Sequence, residues 1–248
     1  MLVFNWCDHG TVDETFATLR DGRVVERAGN LGPPVPLDAT TRVVEWNDVD
    51  GLRQELAHGD VACVLAEPAL TNIGIVHPQA IGSGIPAAAY GFSADVAARV
   101  EAAIGRDESD VGGVGGTLAG NVLSLAAVRA TLEHVLTEDA FARMISLGER
   151  FERGVQEVID GNDLPWHVTR LGCRVEYLFR SERPISGSDA AAGGDHLLDR
   201  LIHLYALNRG VLLTPFHNMA LMSPATTEAD VDLHTAVFGE VARELAGR

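Results

Sequence analysis

The stretch from residue 61 to residue 91, VACVLAEPALTNIGIVHPQAIGSGIPAAAYG, decides the fold that this sequence predicts. It opens with an apolar run, residues 61–66, whose length and β-branched content are typical of a fully buried strand. Pro68 ends the run, because proline cannot donate a hydrogen bond to a neighbouring strand. Glu67 therefore lies at the carboxyl end of a predicted strand, where open α/β sheets place ligand-binding groups. Alternatively, the Glu67 carboxylate accepts hydrogen bonds from backbone amides and has a purely structural role.

The motifs of this stretch resemble those of the class III pyridoxal-phosphate-dependent aminotransferases, and most of all the glutamate-1-semialdehyde aminomutase branch. Glu67-Pro68, followed by Asn72 and Gly74, is similar to the loop at the family's cofactor edge. Residues 80–91 resemble the segment just after the family's Schiff-base lysine. The resemblance implies an α/β fold of type I. It also implies that the segment carrying the lysine is missing after Gln79, and that the family's N-terminal part is missing as well.

The amino-acid composition determines whether this chain can form the family's Schiff base. All 19 basic residues are arginine, and the 248-residue chain contains no lysine. Arginine stays protonated at any ordinary pH and cannot form an aldimine. The resemblance implies pyridoxal 5'-phosphate as cofactor, but its covalent attachment to a lysine is excluded in this chain. We therefore expect no catalytic residue and an inactive chain.

Two further segments carry implied cofactor contacts. Asp8-His9-Gly10 is similar to the family's aromatic-His-Gly turn, although Asp8 cannot stack on a pyridine ring, and an ordinary polar turn is the alternative. Gly116 and Thr117 begin a stretch similar to the family's Gly-Thr-x-x-Gly-Asn motif, whose threonine binds the cofactor phosphate across a dimer interface. A flexible linker that ends in a helix cap is the alternative there.

The resemblance thus implies a specific set of site residues. Cofactor contacts are expected at His9, Asn72, Gly116 and Thr117, and a substrate contact is expected at Glu67. No metal site is expected, because His196 and His203 are seven residues apart on one predicted helix, too far to share one ion.

A change of composition near residue 136 predicts two domains. Residues 1–136 are expected to form a partial large, cofactor-binding domain, and residues 137–248 an α+β small domain. The local patterns predict strands at 2–4, 42–46, 166–168, 173–179, 211–213 and 219–222, helices at 49–58, 94–104, 137–161, 196–208 and from 228 onward, and loops at 20–41 and 181–194. Helix caps are expected at Asn47-Asp48, Ser93 and Asn121, and a capping box at Thr227 with Asp230. The helix at 137–161 is expected to carry one apolar stripe, which consists of Phe141, Met144, Ile145, Phe151, Val155, Val158 and Ile159.

Charge and cysteine content narrow the compartment and the partners. A formal net charge of -16 argues against binding to nucleic acid or to an anionic membrane surface. No apolar run is long enough to span a membrane, and residues 1–6 lack the features of a signal peptide. The three cysteines are typical of reduced cytosolic thiols, with Cys63 expected to be buried. We predict a cytoplasmic protein.

Three functional hypotheses follow. The first is a class III aminotransferase or aminomutase whose working form contains segments that this sequence lacks. Such an enzyme would be a homodimer that acts on an amino acid or amino-ketone with a small-molecule amino donor or acceptor. The second is a non-catalytic derivative that retains part of the fold. The third is a small-molecule binding module that uses Glu67, Asn72 and Thr117 without covalent chemistry.

Overall fold

A computed structural model describes most of the chain. The described residues are 1–7, 13–30, 36–66, 85, 87, 89, 91, 93–104, 120–213 and 217–247. The chain divides into two compact units, the first formed by Met1–His77 with Ala142–Arg248 and the second by Pro78–Phe141.

The first unit contains a parallel sheet with its shortest strand at one edge. Its strands are β1 (Leu2–Phe4), β4 (Arg42–Val44) and β5 (Val64–Leu65), in the order β4-β1-β5. β1 is central, and its Leu2 and Val3 are fully buried. The predicted strands at 2–4 and 42–46 are thus confirmed. The helix predicted after β4 is α2 (Val49–Ala57), which begins where the Asp48 carboxylate accepts a hydrogen bond from the Gly51 N–H at 2.8 Å.

The segment predicted as a long loop at 20–41 contains regular structure instead. β2 (Ala17–Arg20) and β3 (Arg23–Glu26) form an antiparallel hairpin, and α1 (Leu37–Thr40) follows. Asp21 and Gly22 form the turn with φ angles of 52° and 72°. An Asp-Gly pair with both φ positive is a strong hairpin signal, because this turn matches the twist of the flanking strands. The signal was present in the sequence, and the loop prediction was wrong.

The predicted burial of residues 61–66 is also wrong. β5 spans only two residues, and its Val64 and Leu65 are 47% and 38% exposed. Cys63, predicted to be buried, is exposed. β5 pairs only with β1 among the described strands, so it lies at the edge of the described sheet. An apolar run is buried only where other elements cover both of its faces, and no pattern within the run can supply them.

The rest of the first unit is built on an antiparallel sheet. Its strands are β6 (His167–Leu171), β7 (Arg174–Leu178) and β8 (Met219–Leu221), with β7 in the centre. The helices are α5 (Glu138–Gly161), α6 (Gly187–Ala192), α7 (His196–Leu207) and α8 (Glu228–Leu245). α5 buries Met144, Phe151, Val155 and Ile159 of its predicted apolar stripe, whereas Phe141 and Ile145 of that stripe are exposed. α8 starts at the predicted capping box of Thr227 and Asp230. An aromatic cluster fills the core, with the ring centroids of Tyr177 and Phe238 4.7 Å apart.

Two local predictions in this region are wrong. The predicted loop at 181–194 contains α6, whose first turn is capped by Ser186 through the Asp189 N–H. A six-residue helix of small side chains has too little apolar periodicity to be recognised from its pattern. Residues 211–213 form no strand, and they follow Gly210 in a left-handed conformation (φ +83°).

The second unit contains two described helices, α3 (Ala94–Ile104) and α4 (Val122–His134). Their predicted caps are confirmed. The Ser93 hydroxyl accepts a hydrogen bond from the Val96 N–H, and the Asn121 side chain accepts from the N–H groups of Leu123 and Ser124. No helix in the described part of the chain is long and apolar enough to cross a bilayer.

Candidate functional site

All five residues that the resemblance implies for the site lie outside the described residues. They are His9, Glu67, Asn72, Gly116 and Thr117. Their roles therefore stay predictions. His9 follows β1 in the chain, and Glu67 follows β5. Because β1 and β5 run parallel, their carboxyl ends lie at the same edge of the sheet. The described residues at that edge are therefore the ones that would lie beside such a site.

A buried polar network occupies that edge of the sheet. Asn5, the first residue after β1, is fully buried. Its amide nitrogen donates to the Glu45 carboxylate at 2.6 Å and to the Ser188 hydroxyl at 3.0 Å. The Asn5 side-chain oxygen Oδ1 accepts from the Thr18 hydroxyl at 2.8 Å. Asn5, Thr18, Glu45 and Ser188 form what we call the carboxyl-edge network.

The network joins parts of the chain that are far apart in sequence. Ser188 lies 183 residues after Asn5, and its hydroxyl also donates to Glu45 at 2.5 Å. The other Glu45 carboxylate oxygen is buried and accepts no hydrogen bond from any residue that the structure describes. Sequence reasoning missed this network. A polar residue directly after a buried strand was the available signal for Asn5, but nothing pointed to Ser188.

The backbone is strained where β1 and β4 end. Trp6 and Asn47 adopt left-handed conformations with φ of 67° and 70°. Such a conformation costs a non-glycine residue roughly 1–2 kcal/mol. Gly187 packs directly against this turn, and a Cβ added there would lie 2.8 Å from the backbone carbonyl oxygen of Asn5. The close approach requires glycine at 187, and it brings the start of α6 to the edge of the parallel sheet.

A cleft of about 260 Å³ opens beside Trp6. We call it the Trp6 cleft, and its polar lining consists of Glu176 of β7, His196 and Asp199 of α7, and His217 and Asn218 before β8. Trp6 and Phe179 provide aromatic surface in the lining. The cleft thus combines apolar area with a few convergent polar groups, as small-molecule sites do.

Hydrogen bonds fix the polar side chains of the cleft. Glu176 and Arg174 are both nearly fully buried and form an ion pair at 3.1 Å. The Glu176 carboxylate also lies 3.1 Å from His217 Nδ1. The Asn218 amide donates to the Asp199 carboxylate at 2.8 Å. The Asn218 side-chain oxygen Oδ1 is buried and has no hydrogen-bond partner among the described residues.

The charges of the cleft favour ligands that donate hydrogen bonds. Three groups of the lining accept hydrogen bonds, namely the carboxylates of Glu176 and Asp199 and the side-chain oxygen Oδ1 of Asn218. His196 is exposed at the rim, and the His203 ring nitrogen Nε2 lies 2.9 Å from the His217 carbonyl oxygen. No group of three metal-ligating side chains occurs among the described residues.

The chain lacks the side chain to which pyridoxal phosphate would be linked covalently. The sequence contains no lysine, so this chain offers no side-chain amine for a covalent link to pyridoxal phosphate. A covalently held cofactor does not fit the chain.

Comparison with known proteins places the chain in a structural context. No family model matches it. The chain superimposes on a glutamate-1-semialdehyde aminomutase from Pseudomonas aeruginosa with a TM-score of 0.92 and 40% identity, covering 98% of this chain and 66% of that one. It is also 27% identical to the glutamate-1-semialdehyde 2,1-aminomutase of Thermus thermophilus, over 85% of this chain and 60% of that protein.

A more distant structure shares the fold. An omega-transaminase from Sphaerobacter thermophilus superimposes with a TM-score of 0.76 at 21% identity, covering the whole of this chain and 68% of that one. Together with the aminomutase likeness, this fold confirms the resemblance read from the sequence. The chain spans 60% of the Thermus aminomutase and 66% of the Pseudomonas enzyme. The chain is therefore a class III pyridoxal-phosphate-dependent aminotransferase-like protein of fold type I that covers about two thirds of the length of such relatives.

Proposed function

We propose that this chain is a non-catalytic derivative of a class III aminotransferase or aminomutase, an enzyme type that acts on an amino acid or amino-ketone. The similarity of its sequence and fold to the aminomutases supports its derivation from such an enzyme. The single observation that carries the loss of activity is the absence of lysine from all 248 residues. Without a lysine the chain lacks the amine that would anchor the cofactor and accept and return protons.

An absorbance and turnover assay tests this proposal. The chain is titrated with pyridoxal phosphate and then given glutamate-1-semialdehyde or an amino donor with a keto acid. We expect no aldimine absorbance band and no amino transfer above the rate of free cofactor. The Pseudomonas aeruginosa aminomutase, treated identically, is the positive control. Turnover well above that of free cofactor would contradict the proposal.

Cofactor binding without a covalent link is a separate part of the proposal. A variant of the Pseudomonas aminomutase has been crystallised in complex with PMP, the amine form of the cofactor. In this chain His9, Asn72, Gly116 and Thr117 are proposed to contact pyridoxal phosphate or PMP, and Glu67 the substrate. Isothermal titration with PMP, repeated on Thr117→Ala, tests these contacts. Equal binding by both chains would remove Thr117 from the site.

We also propose that the chain forms a homodimer in the cytoplasm. Exposed apolar side chains on α4, among them Val122, Leu123 and Leu125, support association. Free thiols at Cys63 and Cys173 support a reducing compartment. Light scattering at micromolar concentration tests the assembly, and a monomer would contradict it.

The domain assignment stays part of this proposal. Residues 1–136 are proposed as a partial large domain and residues 137–248 as the small domain. Limited proteolysis tests it through the sites of first cleavage. Cleavage concentrated near residue 136 would support the boundary, and first cleavage well inside residues 138–161 would contradict it.

The Trp6 cleft favours a second candidate function, a module that binds small molecules without chemistry. Its buried acceptors Glu176 and Asn218 suit a ligand that carries an ammonium group. Titration with amino acids, followed by amide NMR, tests this function independently of the cofactor. Saturable shifts at the cleft in the absence of pyridoxal phosphate would favour the binding module over the non-catalytic derivative.

A further inference from the structure

We draw no further inference here: the strongest candidate, the outward face of α7 on which Leu197, Leu201, Leu204 and Leu207 are all exposed beside a groove that Leu212 and Leu213 also line, carries nothing, because nothing in the part of the chain that the structure describes shows what covers it.

Discussion

β5 and β7 are both strands with apolar side chains, but only β7 is buried. β7 lies between β6 and β8, and its Val175 and Tyr177 are fully inaccessible to solvent. β5 has one neighbouring strand among those described, and its two side chains are more than a third exposed. The Val-Leu pair of β5 is thus exposed, whereas β7, with the sequence RVEYL, buries even Arg174 and Glu176, because burial depends on which elements cover a strand and not on its apolar content.

The largest expected loss of stability comes from removing a side chain that packs against the buried strand β7. Phe238→Ala removes the ring that packs 4.7 Å from Tyr177 and should lower the free energy of unfolding by about 3–5 kcal/mol. Leu65→Ala, the control in β5, should cost less than about 1 kcal/mol. Urea denaturation of both variants measures the difference. Equal losses would mean that β5 is covered as well as β7.

Acid should weaken the same core through His234. Its pKa is lowered to about 4 by burial, whereas an unfolded histidine titrates near 6.5. Between these values the unfolded chain binds the extra proton, so stability is lost as the pH falls from about 7 towards 4. The full loss is about 3 kcal/mol. His234→Phe should flatten this part of the profile, and His196→Asn, at an exposed position, should not.

Urea denaturation at a series of pH values from 4 to 8 measures that dependence. Other carboxylates titrate in the lower half of this range, so the informative quantity is the difference between the unaltered chain and His234→Phe at each pH. Parallel profiles for the two chains would show that folding does not lower the pKa of His234.

The carboxyl-edge network should contribute less than the aromatic core. Asn5→Ala removes the group that pairs with Glu45, Thr18 and Ser188, and should cost about 2 kcal/mol, since partners are left unsatisfied. Gln54→Ala, on the exposed face of α2, is the control and should change stability by less than about 0.5 kcal/mol. A cost for Asn5→Ala as small as that of the control would mean that water satisfies the network equally well.

These regions also separate what the sequence could predict from what it could not. The long helices and their caps at Asp48, Ser93, Asn121 and Thr227 were predictable, because each is a local signal. The Asp21-Gly22 hairpin was equally local and was overlooked.

Burial and long-range contacts were beyond the sequence. The exposure of β5 depends on covering elements, and the Asn5–Ser188 contact joins residues 183 apart. The family was predicted because its motifs are contiguous. The polar lining of the Trp6 cleft was missed because it comes from β7, α7 and the residues before β8, which no spacing pattern connects.

In this chain an aminotransferase-like fold lacks the lysine side chain that would hold its cofactor covalently. Incubation with pyridoxal phosphate, borohydride reduction and peptide mass mapping test it most directly. Reduction would also trap an adduct at the Met1 amine, so mapping must separate that terminus from side chains. We predict no pyridoxyl adduct on any side chain of this chain, alongside a stoichiometric adduct in the Pseudomonas aeruginosa aminomutase. A stoichiometric side-chain adduct in this chain would contradict the claim.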